Sequence, residues 1–163
     1  MSYIIIRGPL GIGKSTIARK LTKILSGEYI SIDEVLEKNN LDKVDKGENK
    51  ILLKNFIEGN NIIIPKIKEH LKKGKVVIID GCFYHKEQID HFIKTLKSKY
   101  FVFTLKASLD TCIIRDKERE KSYGEGAATV VFNMVSKFDY GNVVETENKS
   151  IKETVNEILE YVN

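Results

Sequence analysis

Cysteine is scarce in this sequence of 163 residues, which contains Cys82 and Cys112 and no other. No C-x-x-C pair occurs, and no histidine stands at a spacing typical of zinc sites. The pattern gives no support for a disulfide framework or a cysteine-based metal site. We expect both thiols to be reduced and partly buried.

Long hydrophobic runs are also missing. The apolar runs have the length of a strand, and Met1-Ser2-Tyr3 carries no basic segment, so we expect neither a signal peptide nor a transmembrane helix. A cytoplasmic location follows from this expectation. No repeat or low-complexity tract occurs, and the hydrophobic content of 42% predicts one domain over residues 1–163 with a single core.

A strong excess of charge of one sign is absent as well. The net charge of +4 and the isoelectric point near 8.9 are mildly basic. Such a balance suits anionic ligands but falls short of a nucleic-acid-binding arm or a polybasic membrane patch. The charge by itself therefore does not decide the function.

What the sequence does contain is a glycine-rich stretch over residues 8–16, the phosphate loop, which fits G-x-x-x-x-G-K-[ST] without a gap. Gly8, Gly11 and Gly13 can take positive φ, so successive backbone N–H groups can converge on phosphate oxygens. Lys14 can reach the β and γ oxygens, and Ser15 can hold Mg²⁺. The alternative is a glycine turn that binds nothing. The candidate nucleotide-binding residues are Gly8, Gly11, Ile12, Gly13, Lys14, Ser15 and Thr16.

Strand and helix patterns alternate along the rest of the chain. This alternation predicts an α/β fold with a parallel sheet that is covered by helices on both faces. The predicted strands cover residues 3–6, 28–32, 76–80, 100–105 and 143–145. Predicted helices follow the phosphate loop, begin near residues 33, 108 and 150, contain the apolar pattern of residues 89–96, and cover 49–58, 61–74 and 130–138. Ser31, Ser108 and Ser150 are the expected capping residues, with Glu34 and Glu153 completing capping boxes. Gly47 and Gly59 are interpreted as helix breakers, and Pro65 as a residue in or near a first helical turn.

Two acidic residues and a basic helix follow the predicted strands directly. Because ligands of such sheets collect at the carboxyl ends of the strands, Asp33, Asp80 and the basic stretch after the fourth strand are candidate site residues. Each has a structural alternative. Asp33 could be an ordinary helix N-cap, and Asp80 could be a strand-end carboxylate that caps a turn.

With these motifs the chain resembles the P-loop kinases of the nucleoside-monophosphate-kinase group, which include chloramphenicol phosphotransferase and the polynucleotide, shikimate, gluconate and adenylate kinases. The resemblance spans nearly the whole chain, and its specific motif is the phosphate loop. It implies a single P-loop domain with a five-stranded parallel sheet in the order 2-3-1-4-5, a short basic lid, and ATP and Mg²⁺ as cofactors.

The resemblance also implies roles for single residues. Asp33 matches the carboxylate that accepts the proton of a substrate hydroxyl, and Asp80 matches the one that holds Mg²⁺. The chain departs from shikimate kinases, since Ser31-Ile32-Asp33 replaces their Asp-x-Asp. It also departs from adenylate kinases, since Tyr84 and His85 stand where Asp-Gly-Phe-Pro-Arg supplies an arginine.

Arg115 and Arg119 look like the paired arginines of the lid, one of which meets adenine and the other the transferring phosphoryl group. Four residues apart on a helix, both side chains are expected on one side. The alternative is a solvated face on which Asp116, Glu118 and Glu120 balance the basic residues. We expect the lid over about 115–127, with Gly124 and Gly126 as candidate hinges, and an acceptor-binding region over about 36–61.

The leading hypothesis is an ATP- and Mg²⁺-dependent kinase that transfers the γ-phosphoryl group to a hydroxyl of an unidentified small molecule or nucleotide. A nucleic-acid 5′ end is a less favoured acceptor. One alternative is an adenylate-kinase-like nucleoside monophosphate kinase. Another is a nucleotide-operated switch, against which Asp80-Gly81-Cys82-Phe83 lacks D-x-x-G and Asn148-Lys149-Ser150-Ile151 lacks N-K-x-D.

Overall fold

A computed structural model describes residues 1–162 and contains a five-stranded parallel sheet in the order β2-β3-β1-β4-β5. This order and the α/β class confirm the expectation. The strands are β1 (Ser2–Arg7), β2 (Glu28–Ser31), β3 (Val77–Gly81), β4 (Lys99–Lys106) and β5 (Asn142–Glu145). The helices described are α1 (Lys14–Ile24), α2 (Ile32–Lys38), α3 (Leu53–Lys72), α4 (Lys86–Leu96), α5 (Leu109–Lys117), α6 (Glu125–Val135) and α7 (Ile151–Val162).

The central strand β1 is buried on both faces, which explains its unbroken apolar sequence. Tyr3 and Ile5 point into a core shared with α3 and α4, whereas Ile4 and Ile6 point into a core shared with α1 and α7. β1 pairs with β3 on one side and with β4 on the other. The phosphate loop therefore leaves from the middle of the sheet, between the ends of its neighbours.

The prediction of two helices over 49–58 and 61–74 is wrong, because α3 runs without a break from Leu53 to Lys72. Gly59 lies inside this helix and is buried there. A Cβ at Gly59 would stand 3.0 Å from Cδ2 of Leu36, so the glycine lets α2 pack closely against α3. Pro65 is likewise inside α3 and not in its first turn.

The region after β4 also differs from expectation. α5 ends at Lys117, and α6 covers Glu125–Val135 in place of the predicted 130–138. The carbonyl of Val135 accepts a hydrogen bond of 2.9 Å from the buried guanidinium of Arg7 in place of a further helical bond. Gly126 therefore belongs to the first turn of α6 and is not a hinge in a loop, whereas Gly124 precedes the helix with φ of 86°.

Several local predictions are confirmed. Ser31 and Ser108 cap α2 and α5 by accepting from the backbone N–H groups of Glu34 and Thr111. Both cysteines are free and buried. Within residues 1–162, no helix has the length and apolar character needed to cross a bilayer.

Candidate active site

The phosphate loop connects β1 to α1 and takes its shape from two glycines. Gly11 and Gly13 have φ of 78° and 97°, the left-handed region expected of them. Gly11 has a second constraint, because a Cβ there would lie 2.1 Å from the carbonyl oxygen of Cys112 in α5. Gly13 precedes α1 without a side-chain cap, which leaves the N–H groups of the first turn free for an anion.

Gly8 does not use the freedom to take a positive φ. A Cβ at this position would lie 3.2 Å from the carbonyl oxygen of Leu105 and 3.0 Å from Cγ2 of Ile12, so the requirement at Gly8 is close packing. Ile12 is buried in the core below the loop, and Thr16 is exposed on α1. The side chain of Ile12 thus anchors the phosphate loop to the core.

Lys14 is folded back across the phosphate loop. Its side chain is buried, and Nζ donates a hydrogen bond of 2.8 Å to the carbonyl oxygen of Pro9. The ammonium group therefore lies inside the concavity of the loop, where a bound phosphate would meet it.

Ser15 and Asp80 are brought together across the sheet edge. Oγ of Ser15 donates to Oδ2 of Asp80 at 2.7 Å, and the hydroxyl of Tyr29 donates to Oδ1 at 3.0 Å. Asp80 is 2% exposed, so its carboxylate is held in a fixed position. Burial, with Asp80 adding to it, raises the pKa of Tyr29 to about 12, which keeps this hydroxyl a donor at neutral pH.

Tyr29 is a site residue that the sequence analysis missed. It lies on β2, and the parallel register places Ser31 opposite Asp80 on the neighbouring strand β3. The pairing joins residues about fifty positions apart, and no local motif marks it.

A hydroxyl and a carboxylate oxygen at this distance are ligands that suit Mg²⁺. Within residues 1–162, no group of three or more His, Cys, Asp and Glu side chains could hold a metal ion. Mg²⁺ commonly takes only one or two protein ligands and completes its shell with phosphate oxygens and water. Ser15 and Asp80 fit that pattern.

Asp33 lies in the first turn of α2, but it is not the N-cap, since Ser31 has that position. Asp33 is exposed to solvent, and no hydrogen bond to its carboxylate occurs within residues 1–162. Desolvation of the carboxyl by neighbouring atoms raises its pKa, an effect that Lys14 opposes and Asp80 reinforces. Arg119 also lowers this pKa, so it too lies near the carboxyl.

The two arginines diverge, which corrects the expectation that both extend from one side of a helix. Arg115 donates to Oγ1 and to the carbonyl oxygen of Thr146, at 3.2 and 3.1 Å, in the segment after β5. Arg119 stands beyond the end of α5 and lies 3.5 Å from Oδ1 of Asp116. The reason is that α5 stops at Lys117, so the helical spacing of four residues does not apply.

A cavity of about 300 Å³ opens beside Tyr84 and His85, between residues 48–50 and one face of α6. The hydroxyl of Tyr84 accepts from the N–H of Ile51 at 3.1 Å, and Nε2 of His85 lies 2.8 Å from the carbonyl oxygen of the same residue. Burial raises the pKa of Tyr84, and the charge of Asp33 adds to this effect. The cavity is thus built from the region 36–61, the segment after Asp80, and α6 with the residue Lys137 beyond its end.

A parallel sheet in this order, with a phosphate loop after its central strand and a hydrogen-bonded Ser-Asp pair beside that loop, defines the class of P-loop kinases. Residues 4–135 match a family model described as an AAA domain. Because this match covers most of the chain, the protein belongs to that family and is a small P-loop kinase.

One relative and two solved structures illustrate the similarity. A protein of Pyrococcus furiosus named "Putative adenylate kinase" is 30% identical over an alignment of 171 residues. The alignment covers 98% of this chain and 83% of the relative. A sugar kinase structure from Janibacter sp. HTCC2649 has a TM-score of 0.81 at 13% identity and covers 99% and 94% of the two chains. A gluconokinase structure from Sinorhizobium meliloti has a TM-score of 0.71 at 15% identity, with 98% and 90% covered. At these identities the two structures establish the fold.

Proposed function

We propose that this kinase uses ATP and Mg²⁺ to phosphorylate a hydroxyl group of a small molecule or nucleotide. The observation that carries the proposal is the position of Asp33. Its carboxylate does not cap α2, because Ser31 does, and its pKa is affected by the charges of Lys14 and Asp80. A carboxylate beside a γ-phosphate site can orient an alcohol for in-line attack and accept its proton.

The other residues bind and orient the donor in this proposal. The backbone N–H groups from Gly11 to Thr16 surround the phosphates, and Lys14 moves from the Pro9 carbonyl to the β and γ oxygens. Ser15 and Asp80 would hold Mg²⁺, which bridges the β and γ oxygens and neutralises developing charge. The acceptor would enter by the cavity beside Tyr84 and His85.

The divergence of the arginines supports a different role for each. Arg115 contacts Thr146, which lies after β5, so we assign it to the side of the nucleotide base. Arg119 lies near Asp33, so we assign it to the transferring phosphoryl group. We further propose that residues 115–127 act as the lid of this site.

A second candidate function is the phosphorylation of a nucleoside monophosphate, in which the acceptor is a phosphate. The relative from Pyrococcus furiosus favours it through its name and its 30% identity. The sequence weighs against AMP as the acceptor, because Tyr84 and His85 occupy the region where an adenylate kinase carries its arginine.

ADP formation from Mg-ATP, measured with a panel of alcohols, aminocyclitols, nucleosides, 5′-hydroxyl oligonucleotides and AMP, tests both candidates. We expect a hydroxyl compound to stimulate ADP formation and Lys14→Ala to abolish it. Stimulation by AMP alone would support the second candidate. ADP formation that no acceptor changes would instead indicate an NTPase or switch.

Asp33→Asn tests the role of the carboxylate. We expect ATP binding to persist and transfer to slow by about 10²-fold or more, the usual contribution of a general base. Glu34→Gln is the matched control, because Glu34 is an exposed acid in the same turn that pairs with Arg19 and Lys38. Equal rates in the two variants would leave Asp33 without a catalytic role.

Arg119→Ala tests the lid arginine against Lys121→Ala, an exposed cation two residues away. An arginine that meets the transferring phosphoryl group can be worth about 10³-fold or more in rate. We therefore expect a large loss of kcat for the first variant and a small one for the second. Similar small losses would favour the solvated-face interpretation.

A further inference from the structure

Asp116 is a buried carboxylate in a segment whose sequence suggested exposed, alternating charges. It lies in the last turn of α5 and is 1% exposed. Burying a carboxylate costs free energy unless hydrogen bonds and an opposite charge compensate it. The contacts of Asp116 therefore indicate what the fold gains from this residue.

Oδ2 of Asp116 binds the chain that follows α5. It accepts hydrogen bonds from Oγ of Ser122 at 2.8 Å, from the N–H of Tyr123 at 3.1 Å, and from the N–H of Gly124 at 3.2 Å. Residues 118–124, the lid loop, are thereby folded back onto the end of α5. One oxygen of one side chain organises the connection between α5 and α6.

Oδ1 of Asp116 has a different environment. It is buried and accepts no hydrogen bond within residues 1–162, and the cation beside it is Arg119, whose NH1 lies 3.5 Å away. The Arg119 guanidinium also lies 5.4 Å from the ring centroid of Tyr123. The guanidinium makes no hydrogen bond to the described part of the chain, so its N–H donors remain available to a ligand.

The lid loop lies within electrostatic range of Asp33. The charges of Asp33 and Arg119 both act on the pKa of Tyr123, which burial raises. Arg119 also acts on the pKa of Asp33, as described above. The guanidinium held beside Asp116 and Tyr123 thus lies within electrostatic range of the Asp33 carboxylate, with its donors available to an anionic oxygen.

We infer that Asp116 is a positioning residue, which folds the lid loop back onto the end of α5 and holds the guanidinium of Arg119 in place near Asp33. The inference deepens and rests on the proposed function, because Arg119 has a task at this place only when a phosphoryl group is transferred. The loose contact at 3.5 Å orients the guanidinium without occupying its donors.

Limited trypsin digestion tests the structural half of the inference and needs no enzymatic activity. Cleavage after Lys117, Arg119 and Lys121 reports the order of the lid loop directly. We expect Asp116→Asn to accelerate this cleavage about tenfold, the size expected when a coupled contact of about 1.4 kcal/mol is lost. Glu118→Gln, which removes the same charge from an exposed position, is expected to leave the cleavage rate unchanged.

A double-mutant cycle tests the functional half, using ADP formation from Mg-ATP with the best acceptor of the panel. If Asp116 acts through Arg119, Asp116→Asn lowers kcat about tenfold and changes the KM for ATP by less than about twofold. Added to Arg119→Ala, it causes no further loss of kcat. Additive losses would show that Asp116 does not act through Arg119.

Two further measurements separate this inference from other failures. Circular dichroism is the check that Asp116→Asn is folded. Ser122→Ala removes one contact of the loop but keeps the carboxylate, so we expect it to increase the cleavage rate less than Asp116→Asn does. Trypsin protection equal to that of the unsubstituted protein in both variants would overturn the inference. If the unsubstituted protein forms no ADP with any acceptor, the proposed function fails, and the trypsin comparison still decides whether Asp116 holds the loop.

Discussion

The contacts of Arg7 show how the free-energy cost of burying a charged side chain is compensated. It is fully buried, and burial lowers its pKa to about 10. Its guanidinium donates to Oγ1 of Thr104 at 3.0 Å and to the carbonyl oxygens of Phe138 and Val135, both at 2.9 Å. No carboxylate in the described part of the chain lies within ion-pair distance. The three hydrogen bonds of the planar guanidinium, rather than a counter-charge, compensate the cost of burying it.

Arg7→Lys should therefore destabilise the fold although it keeps the charge. A lysine retains the desolvation cost but cannot reach the carbonyls of Val135 and Phe138 together, so we expect a loss of about 2–4 kcal/mol. Urea denaturation measures this free energy. Lys20→Arg, the reverse exchange at an exposed position, serves as the control and should change stability by less than about 0.5 kcal/mol. Equal stabilities for the two variants would contradict the interpretation.

Asp33→Asn is expected to slow phosphoryl transfer without destabilising the fold at neutral pH. Because the pKa of this carboxyl is raised in the folded protein, its ionisation at neutral pH opposes folding. The favourable contribution of the protonated form is present at low pH and is lost as the pH rises through the folded-state pKa. Asp33→Asn should thus be at least as stable as the unsubstituted protein at pH 7, with the difference disappearing in acid. Denaturation midpoints across this pH range test it.

The same raised pKa affects the pH dependence of catalysis. Asp33 can accept a proton only as a carboxylate. The apparent pKa of the acidic limb of the kcat/KM profile should therefore lie above the ordinary pKa of aspartate, about 3.9. Glu34 contributes to the raised pKa, and Glu34→Gln should shift the limb slightly to lower pH. A limb at or below the ordinary value would show that another group controls the rate.

Among the helices and loops, the glycines divide into those that the fold requires and those that it does not. Gly11→Ala places a methyl group against the backbone of α5 and demands a left-handed conformation of alanine, so we expect it to disrupt the phosphate loop. Gly126 lies in the first turn of α6, and a Cβ added there would have no neighbouring heavy atom within 4 Å. Gly126→Ala should stabilise the protein by about 0.5 kcal/mol.

Thermal denaturation and calorimetry with Mg-ATP compare these two variants. We expect Gly11→Ala to lose nucleotide binding, and Gly126→Ala to bind nucleotide as the unsubstituted protein does. A large fall in turnover for Gly126→Ala, with intact stability, would instead show that the enzyme uses the flexibility of this residue.

The helices also show which sequence signals were sufficient. The Ser150-Glu153 capping box formed as predicted, with hydrogen bonds of 2.7 and 3.2 Å, because all of its partners lie within one turn. Gly59 was misinterpreted as a breaker, since its role depends on contact with Leu36 in another helix. Helix propensity counts a glycine inside a helix as unfavourable, whereas here the missing side chain lets α2 pack closely against α3.

For the fold as a whole, ligand binding and stability should be coupled. A ligand that binds the native state at about 100 times its Kd adds about 2.7 kcal/mol to the free energy of unfolding. For a chain of this length we expect Mg-ATP to raise Tm by about 5–10 °C. Lys14→Ala should abolish the shift, and chelation of Mg²⁺ should reduce it. A Tm that does not respond to Mg-ATP would contradict nucleotide binding by the phosphate loop.

The sequence by itself determined the phosphate loop, the central strands and the helix caps. These features depend on the backbone conformations and hydrogen bonds of neighbouring residues, so residue type and spacing are sufficient to specify them. The sheet order came from the resemblance to known kinases, and the structure confirmed it.

Tertiary structure decided how the site is completed. The hydrogen bond of Tyr29 to Asp80, the divergence of Arg115 and Arg119, and the burial of Asp116 all depend on where elements end and which distant residues they meet. Strand register and helix termination determine those encounters, and both result from packing across the whole chain. A pattern read along the sequence therefore indicated the chemistry of the site but not the side chains that orient it.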